Sequence, residues 1–306
     1  MRKLLLILVF TFIVPLTGFS QYYVDYGFSV GAANYLGDIG GGQGARRDFV
    51  GDLKFNATRW TLGGFYRYRF SSKIATKISL NYIRISADDA NTANPYRRGR
   101  NLNFKNDMYE FIVNGEFYIY KVNDVGRSGR YRTDFNLYAF VGLGAFYSNP
   151  KGQTTNGEWV SLKPLETEGK SYSSLNFTIP VGLGFYYTLQ RKYRLGLELG
   201  WRTTFTDYID DVSGVYINDF DGISNKSSQS LIDEIRAENT GVTPLPQTSS
   251  YAPGKKRGDS EHNDSYMTAT INFSWAIRGR SKFYKSKHSW VLGKNKRRRR
   301  KSRAKF

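Results

Sequence analysis

The stretch TRWTLGGFYRYRF at residues 58–70 sets Trp60, Leu62, Tyr66 and Tyr68 on one side of an extended chain and Arg59, Thr61, Arg67 and Arg69 on the other. Successive side chains of a strand point to opposite faces, so this segment reads as a strand with one apolar and one charged face. Residues 107–120, DMYEFIVNGEFYIY, repeat the pattern, with Tyr109, Phe111, Val113, Phe117 and Ile119 opposite Glu110, Asn114 and Glu116. In residues 193–204, YRLGLELGWRTT, the apolar set Tyr193, Leu195, Leu197, Leu199 and Trp201 faces away from Arg194, Gly196, Glu198, Gly200 and Arg202. Working outward, eight such segments fall at 22–33, 58–70, 74–86, 107–120, 136–148, 173–189, 193–204 and 265–278. Residues 136–148 are apolar on both faces and do not discriminate between them.

A soluble β-sandwich and a lipid-facing β-barrel both give this alternation. Connection length separates them. The links 34–57, 87–106, 149–172 and 205–264 are long, 71–73 and 190–192 are short, and 121–135 is intermediate. Alternating long loops and short turns is the layout of a transmembrane barrel with short periplasmic turns. Tyr and Trp gather near strand ends, at Tyr22, Tyr23, Trp60, Tyr66, Tyr68, Tyr82, Tyr118, Tyr120, Tyr187, Tyr193, Trp201 and Trp275, as interfacial girdles do. The 23 Tyr, 21 Phe and 31 Gly suit strands and turns better than helices. The expected fold is therefore all-β, a transmembrane antiparallel barrel of about eight strands spanning residues 21–278.

Residues 1–20 read as a secretory signal, with Arg2 and Lys3 followed by the apolar run 4–14 and a short exit at Gly18-Phe19-Ser20. No other stretch approaches the length of a membrane-spanning helix. Cysteine is absent, which excludes disulfides, cysteine-based metal sites and a lipidated N-terminal cysteine. The formal net charge of +19 is concentrated at one end: residues 278–306 hold fourteen Lys or Arg and no acid, whereas residues 21–277 hold 29 basic and 26 acidic residues. An even strand number places both termini on the periplasmic side, with the 205–264 loop facing outward.

A barrel this narrow is filled by its own side chains, which argues against an open pore. The inward face carries Asp25, Arg59, Arg67, Arg69, Lys77, Glu110, Glu116, Arg194, Glu198 and Arg202. These opposite charges must pair or hold water, and a structural plug is favoured over an ion path. No catalytic site, metal site or cofactor is expected. His262 lies in a loop near Asp259, Glu261 and Asp264, His288 lies in the tail, and no Ser-His-acid arrangement can be drawn from them. An acid-only pair, Asp210 with Asp211, has nothing further to support it. Gly40 to Gly42 with Gly44 lacks the Lys-Ser/Thr of a phosphate loop. Residues 231–236 have the pattern of a short amphipathic helix.

The basic tail, 279–306, contains Phe283, Tyr284, Trp290, Lys296, Arg297, Arg298, Arg299, Arg300 and Lys301. Export argues against nucleic acid as a partner. Acidic protein surfaces, anionic lipid head groups or peptidoglycan carboxylates fit the charge, and the interspersed aromatic residues suit docking on a partner. Arg127, Arg130 and Arg132 of the 121–135 link would lie on the same side.

Three stretches resemble a family of Bacteroidetes outer-membrane barrels, the PorG component of the type IX secretion system. They are NYLGDI at 34–39, NFTIPVGLG at 176–184 and TDYIDDV at 206–212. The resemblance implies a non-enzymatic anchoring and assembly subunit embedded in outer-membrane lipid. Its partners would be periplasmic ring proteins resembling PorK and PorN, and in some relatives the system supports gliding motility. The competing expectation is a stand-alone surface barrel that binds ligands or cells through its outer loops.

Overall fold

The computed structural model describes residues 22–40, 55–92, 94–123, 125, 133–154, 157–216 and 254–278. Eight long strands form the wall: β1 (Tyr22–Leu36), β2 (Arg59–Arg69), β3 (Ile74–Asp88), β4 (Asn103–Val122), β5 (Thr133–Tyr147), β8 (Leu175–Leu189), β9 (Tyr193–Thr204) and β10 (Ser265–Arg278). Each pairs antiparallel with its neighbour in sequence among the eight, and β1 pairs with β10 from Leu36↔Ser265 to Tyr22↔Arg278. The ring is closed. Closure leaves no unpaired edge in the wall, which is what allows a sheet to stand in a medium that cannot hydrogen-bond its backbone.

Two short strands, β6 (Pro150–Gln153) and β7 (Trp159–Ser161), form a hairpin that continues the sheet from β4 through Lys105↔Lys151 and Asn106↔Pro150. A six-residue helix, α1 (Pro95–Arg100), sits in the β3–β4 connection; Asn94 caps it by accepting from the Tyr96 N–H, and Pro95 opens it. Among the described residues no helix is long and apolar enough to cross a membrane.

Alternation decides what faces where. On β3, Ala75, Lys77, Ser79, Ile83 and Ile85 are buried inside, while Ile78 and Leu80 point outward. Every wall strand exposes apolar side chains on its outer face, among them Phe28, Leu62, Leu80, Phe111, Leu143, Leu183, Leu199 and Ile271. Leu80 is 65% and Leu143 70% exposed. A continuous apolar belt around a closed ring is stable against hydrocarbon and would aggregate in water. The interior is the polar side. The usual inside-out order of a soluble protein is reversed over the belt.

One expectation needs correction. Tyr118 is not part of a girdle: its even position on β4 turns it inward, where it packs with Ala75, Tyr138, Phe140 and Tyr186. The long connection 149–172 contains the β6–β7 hairpin. Strands also run further toward the long-loop end than the apolar pattern suggested, β1 to Leu36 and β4 from Asn103. There the outward residues Asn103, Lys105 and Asp107 are polar, because the wall has risen above the belt, so the apolar signal stops before the hydrogen-bond ladder does. The signal segment 1–20, the tail 279–306, Arg127, Arg130 and Arg132, and the 231–236 segment lie outside the described residues.

Candidate functional site

The interior is filled at two levels. In the lower one, Asp25 on β1 stands directly opposite Arg67 on β2, and Arg67 opposite Lys77 on β3. Like charges facing one another across a sheet repel. Here each is drawn to a different carboxylate: Arg67 Nε reaches Glu116 at 2.8 Å and Nη1 reaches Asp25 at 3.1 Å, whereas Lys77 Nζ lies 2.6 Å from Glu198. Arg194 also pairs with Asp25, and Arg202 reaches Glu110 at 3.3 Å. Tyrosine hydroxyls donate to three of these carboxylates. Tyr138 donates to Glu198 at 2.8 Å, Tyr118 to Glu116 at 3.0 Å and Tyr266 to Glu110 at 2.6 Å. Arg67 and Arg69 also lie over the rings of Tyr138, Tyr186 and Tyr118.

Of the residues expected in this network, Arg67, Glu110, Glu116, Glu198 and Arg202 are buried in the interior. Arg59 is not. It stands exposed at the first position of β2, where Nη1 donates to the carbonyls of Asn56 and Thr58. Its parity is inward, but the wall no longer encloses that level. The buried tyrosines that complete the network were missed; the parity of Tyr118 with Glu116 on β4 was readable, whereas Tyr138 lies on the strand whose two faces are both apolar.

The upper level is a plug at the long-loop end, built from two of the quoted motifs. Residues 37–40 and 206–212 fold over the mouth, and Ile209 and Val212 join Tyr35, Ile39, Phe104, Met108, Phe146 and Tyr266 in a fully covered apolar cluster. Acids hold the backbone in place. Asp210 accepts from the N–H groups of Ile39 (3.1 Å) and Val212 (3.0 Å), and Asp264 accepts from the Tyr35 hydroxyl (2.6 Å) and the Ile209 N–H (3.1 Å). Asp211 accepts from Thr167 and from the Tyr172 hydroxyl. Arg257 bridges Glu168 and Asp211, and Arg100 pairs with Asp89 at 2.7 Å while donating to the Asp38 carbonyl. The Asp210–Asp211 pair thus has a structural task as backbone and hydroxyl acceptor.

Burial, reinforced by the charge of Asp38, pushes the Asp210 carboxyl up to about 7. Burial also raises Asp264, with the charges of Asp210 and Asp207 adding to it, and raises Asp211 despite the neighbouring Arg257. Two carboxyls this close in a dry site favour the protonated form of one of them. The plug contacts join loops far apart in sequence, so no local pattern announced them.

His262 lies at the surface, its Nδ1 3.0 Å from Asp259 Oδ2, while Lys256 occupies the other oxygen of Asp259. Asp264, near it in sequence, is buried in the plug instead. Asp259, Glu261 and His262 bring one ligand atom each within 4.8 Å of one another. Lys256 beside them opposes a cation.

A closed eight-stranded ring with an apolar exterior, an ion-paired interior and a plugged mouth defines a β-barrel of the outer-membrane type. The chain belongs to the family described as a domain of unknown function, DUF6089, whose model matches residues 2–223. No curated protein matches it. Among solved structures it is similar to the attachment invasion locus protein Ail of Yersinia pestis, solved in complex with the heparin analogue sucrose octasulfate. That likeness has 9% identity and a TM-score of 0.33, covering 83% of this chain and 98% of that one. The outer membrane protein OprG of Pseudomonas aeruginosa is similar at 12% identity and a TM-score of 0.33, covering 85% of this chain and 99% of that one. The outer membrane protein AlkL, solved in lipid bilayers, is similar at 13% identity and a TM-score of 0.32, covering 87% of this chain and 94% of that one. No residue role passes across likenesses this distant.

Proposed function

We propose that this protein is a non-conducting, non-enzymatic anchor in the outer membrane, an assembly subunit of a protein secretion apparatus of the type IX kind, in which both termini face the periplasm. The observation that carries this reading is the doubly filled barrel. A lumen packed with ion pairs and tyrosines beneath a plugged mouth offers no path for solute, so its work is done from its surfaces. The PorG-like stretches at 34–39 and 206–212 supply the plug, which suits a rigid anchor. In this reading the basic tail, with Phe283, Tyr284, Trp290 and the run Lys296 to Lys301, docks acidic periplasmic ring proteins resembling PorK and PorN, helped by Arg127, Arg130 and Arg132. Charge steers the encounter and the aromatic residues supply specificity.

Deleting residues 279–306 while keeping the barrel tests the proposal. The expected result is an intact barrel that no longer co-purifies ring proteins from gently solubilised envelopes, with secretion lost. Intact secretion and ring association would refute the anchor role, and altered surface binding alongside them would favour the stand-alone surface barrel.

A further inference from the structure

A cavity of about 370 Å³ lies at the long-loop end of the wall, between the plug residues Tyr35, Ile39 and Phe104 and the outward side chains of neighbouring strands. Its floor is the outward face of β3 and β4, where Arg84 and Ser86 stand beside Asp107 and Lys105 in register. One side is formed by Arg59 and Trp60 at the start of β2, the other by Trp159 of the β6–β7 hairpin. The volume is that of a small organic ligand rather than of a single ion.

The charges in it are unevenly used. Arg84 is committed to Asp107 at 2.6 Å. Among the described residues neither Arg59 nor Lys105 has a carboxylate within ion-pair distance, and the one acid of the lining, Asp88, caps the Ala90 N–H. Flat aromatic faces sit beside these cations: Lys105 Nζ lies 4.3 Å from the Trp159 ring centre, and the Arg84 guanidinium 5.5 Å from that of Trp60. A second observation points independently to a ligand. Ser86 is only 7% exposed, lines the cavity, and its hydroxyl has no hydrogen-bond partner among the described residues. Buried hydroxyls are normally satisfied, and this one, closed to solvent as the cavity stands, gains a partner when a small turn of its side chain presents it to a ligand.

We propose that this cavity binds an anionic saccharide, with its phosphate or carboxylate groups on Arg59 and Lys105, its ring against Trp159, and a hydroxyl on Ser86. The chemistry matches on each count: fixed cations for the acid groups, an indole face for the apolar face of a sugar ring, and a free hydroxyl for the polar rim. Position suggests a source. Trp60 stacks on Tyr82, and Tyr82 meets Tyr109 edge-on, an aromatic row at the level where the wall leaves the belt. The cavity lies just above that row, at head-group depth, so a glycolipid head group and a diffusible acidic sugar are the two sources of the same chemistry. The inference rests on the barrel standing in a membrane, and not on the tail or its partners.

The test uses the full chain in discs of zwitterionic lipid, with tryptophan fluorescence as the readout. The probes are a soluble bisphosphorylated glucosamine disaccharide, the same disaccharide carrying acyl chains within the disc, and its unphosphorylated form. Binding of a phosphorylated probe with no response to the neutral one is expected, and the double variant Arg59→Gln/Lys105→Gln weakens it about tenfold, as loss of charge-assisted bonds predicts. Response to the acylated probe alone assigns the head group, and response to both assigns a diffusible sugar; either supports the proposal. Ser86→Val is expected to lower binding without lowering heat resistance. No response to either phosphorylated probe, or unchanged affinity in the double variant, overturns it. The gel mobility of unheated samples reports separately whether the barrel itself has formed.

Discussion

Replacing Arg67 with Met removes the cation that two buried acids share. Arg67 and Glu116 are 2% and 1% exposed at their side chains, so the acids left behind cannot turn to water. Asp25 keeps Arg194 and the Ser274 hydroxyl, but Glu116 retains only the Tyr118 hydroxyl among the described residues. Breaking a buried pair costs about 3–5 kcal/mol, and because Asp25 stays paired the lower end, about 3 kcal/mol, is expected. Loss of the contacts to Phe65, Tyr138 and Tyr186, whose ring centres lie 5.1–5.4 Å from the guanidinium carbon, adds about 1 kcal/mol. At roughly 2–4 °C per kcal/mol for a domain of this size, the melting midpoint should fall by about 8–16 °C. The assay is the temperature at which unheated samples lose their compact gel mobility, with urea unfolding from lipid vesicles alongside. Adding Glu116→Gln to Arg67→Met should restore at least half of the loss, because a neutral amide replaces the stranded charge. Arg59→Met, at an exposed rim position, should change stability by less than about 0.5 kcal/mol. The reasoning fails if Arg67→Met melts with the unsubstituted protein, or if Arg59→Met costs as much as Arg67→Met.

The plug carries a pH dependence of definite sign. Asp210 and Asp264 have raised values in the folded chain, so between about pH 4, where an unfolded aspartate titrates, and about pH 7 the folded state holds protons the unfolded chain has lost. Plug stability is therefore greatest at low pH and falls as the pH rises through that window. Hydrogen exchange at the Ile39 and Val212 amides, corrected for intrinsic rates, should show protection falling as the pH approaches 7 and above, and Asp38→Asn should move the change to lower pH. Protection that rises with pH, or a midpoint unmoved by Asp38→Asn, contradicts the assignment. Gly37→Ala tests the close packing of the same region, since a Cβ there would overlap both the Tyr35 hydroxyl and the Asp264 carboxylate. It should destabilise the protein by about 1–3 kcal/mol, and a neutral result in the same melting assay would mean the plug has room to give.

The wall was legible because two faces in different solvents impose a period of two, and segments such as 58–70 and 193–204 carry that period without interruption. The parity that sends Arg67 and Glu198 inward also sends Tyr118 inward, yet a tyrosine near a strand end reads equally well as an interfacial residue. Arg59 shows the opposite failure: the parity is right, but parity does not say where the wall stops enclosing anything. The plug was not legible. Tyr35 and Asp264 stand 229 residues apart and Arg257 and Glu168 89, and no local pattern encodes pairings between loops. The β6–β7 strands, four and three residues long, are too short for a period of two to stand out within a long connection.

The chain contains no cysteine, so single cysteines carrying nitroxide labels can be placed anywhere without background. Labels at Leu80, Leu143, Leu183, Leu199 and Ile271 in lipid vesicles should collide with dissolved oxygen far more often than with a water-soluble nickel chelate, and a label at His262 on the loop surface should show the reverse. Equal access of the chelate to the five wall positions would mean that water covers the outer face, and that the barrel does not stand in a membrane.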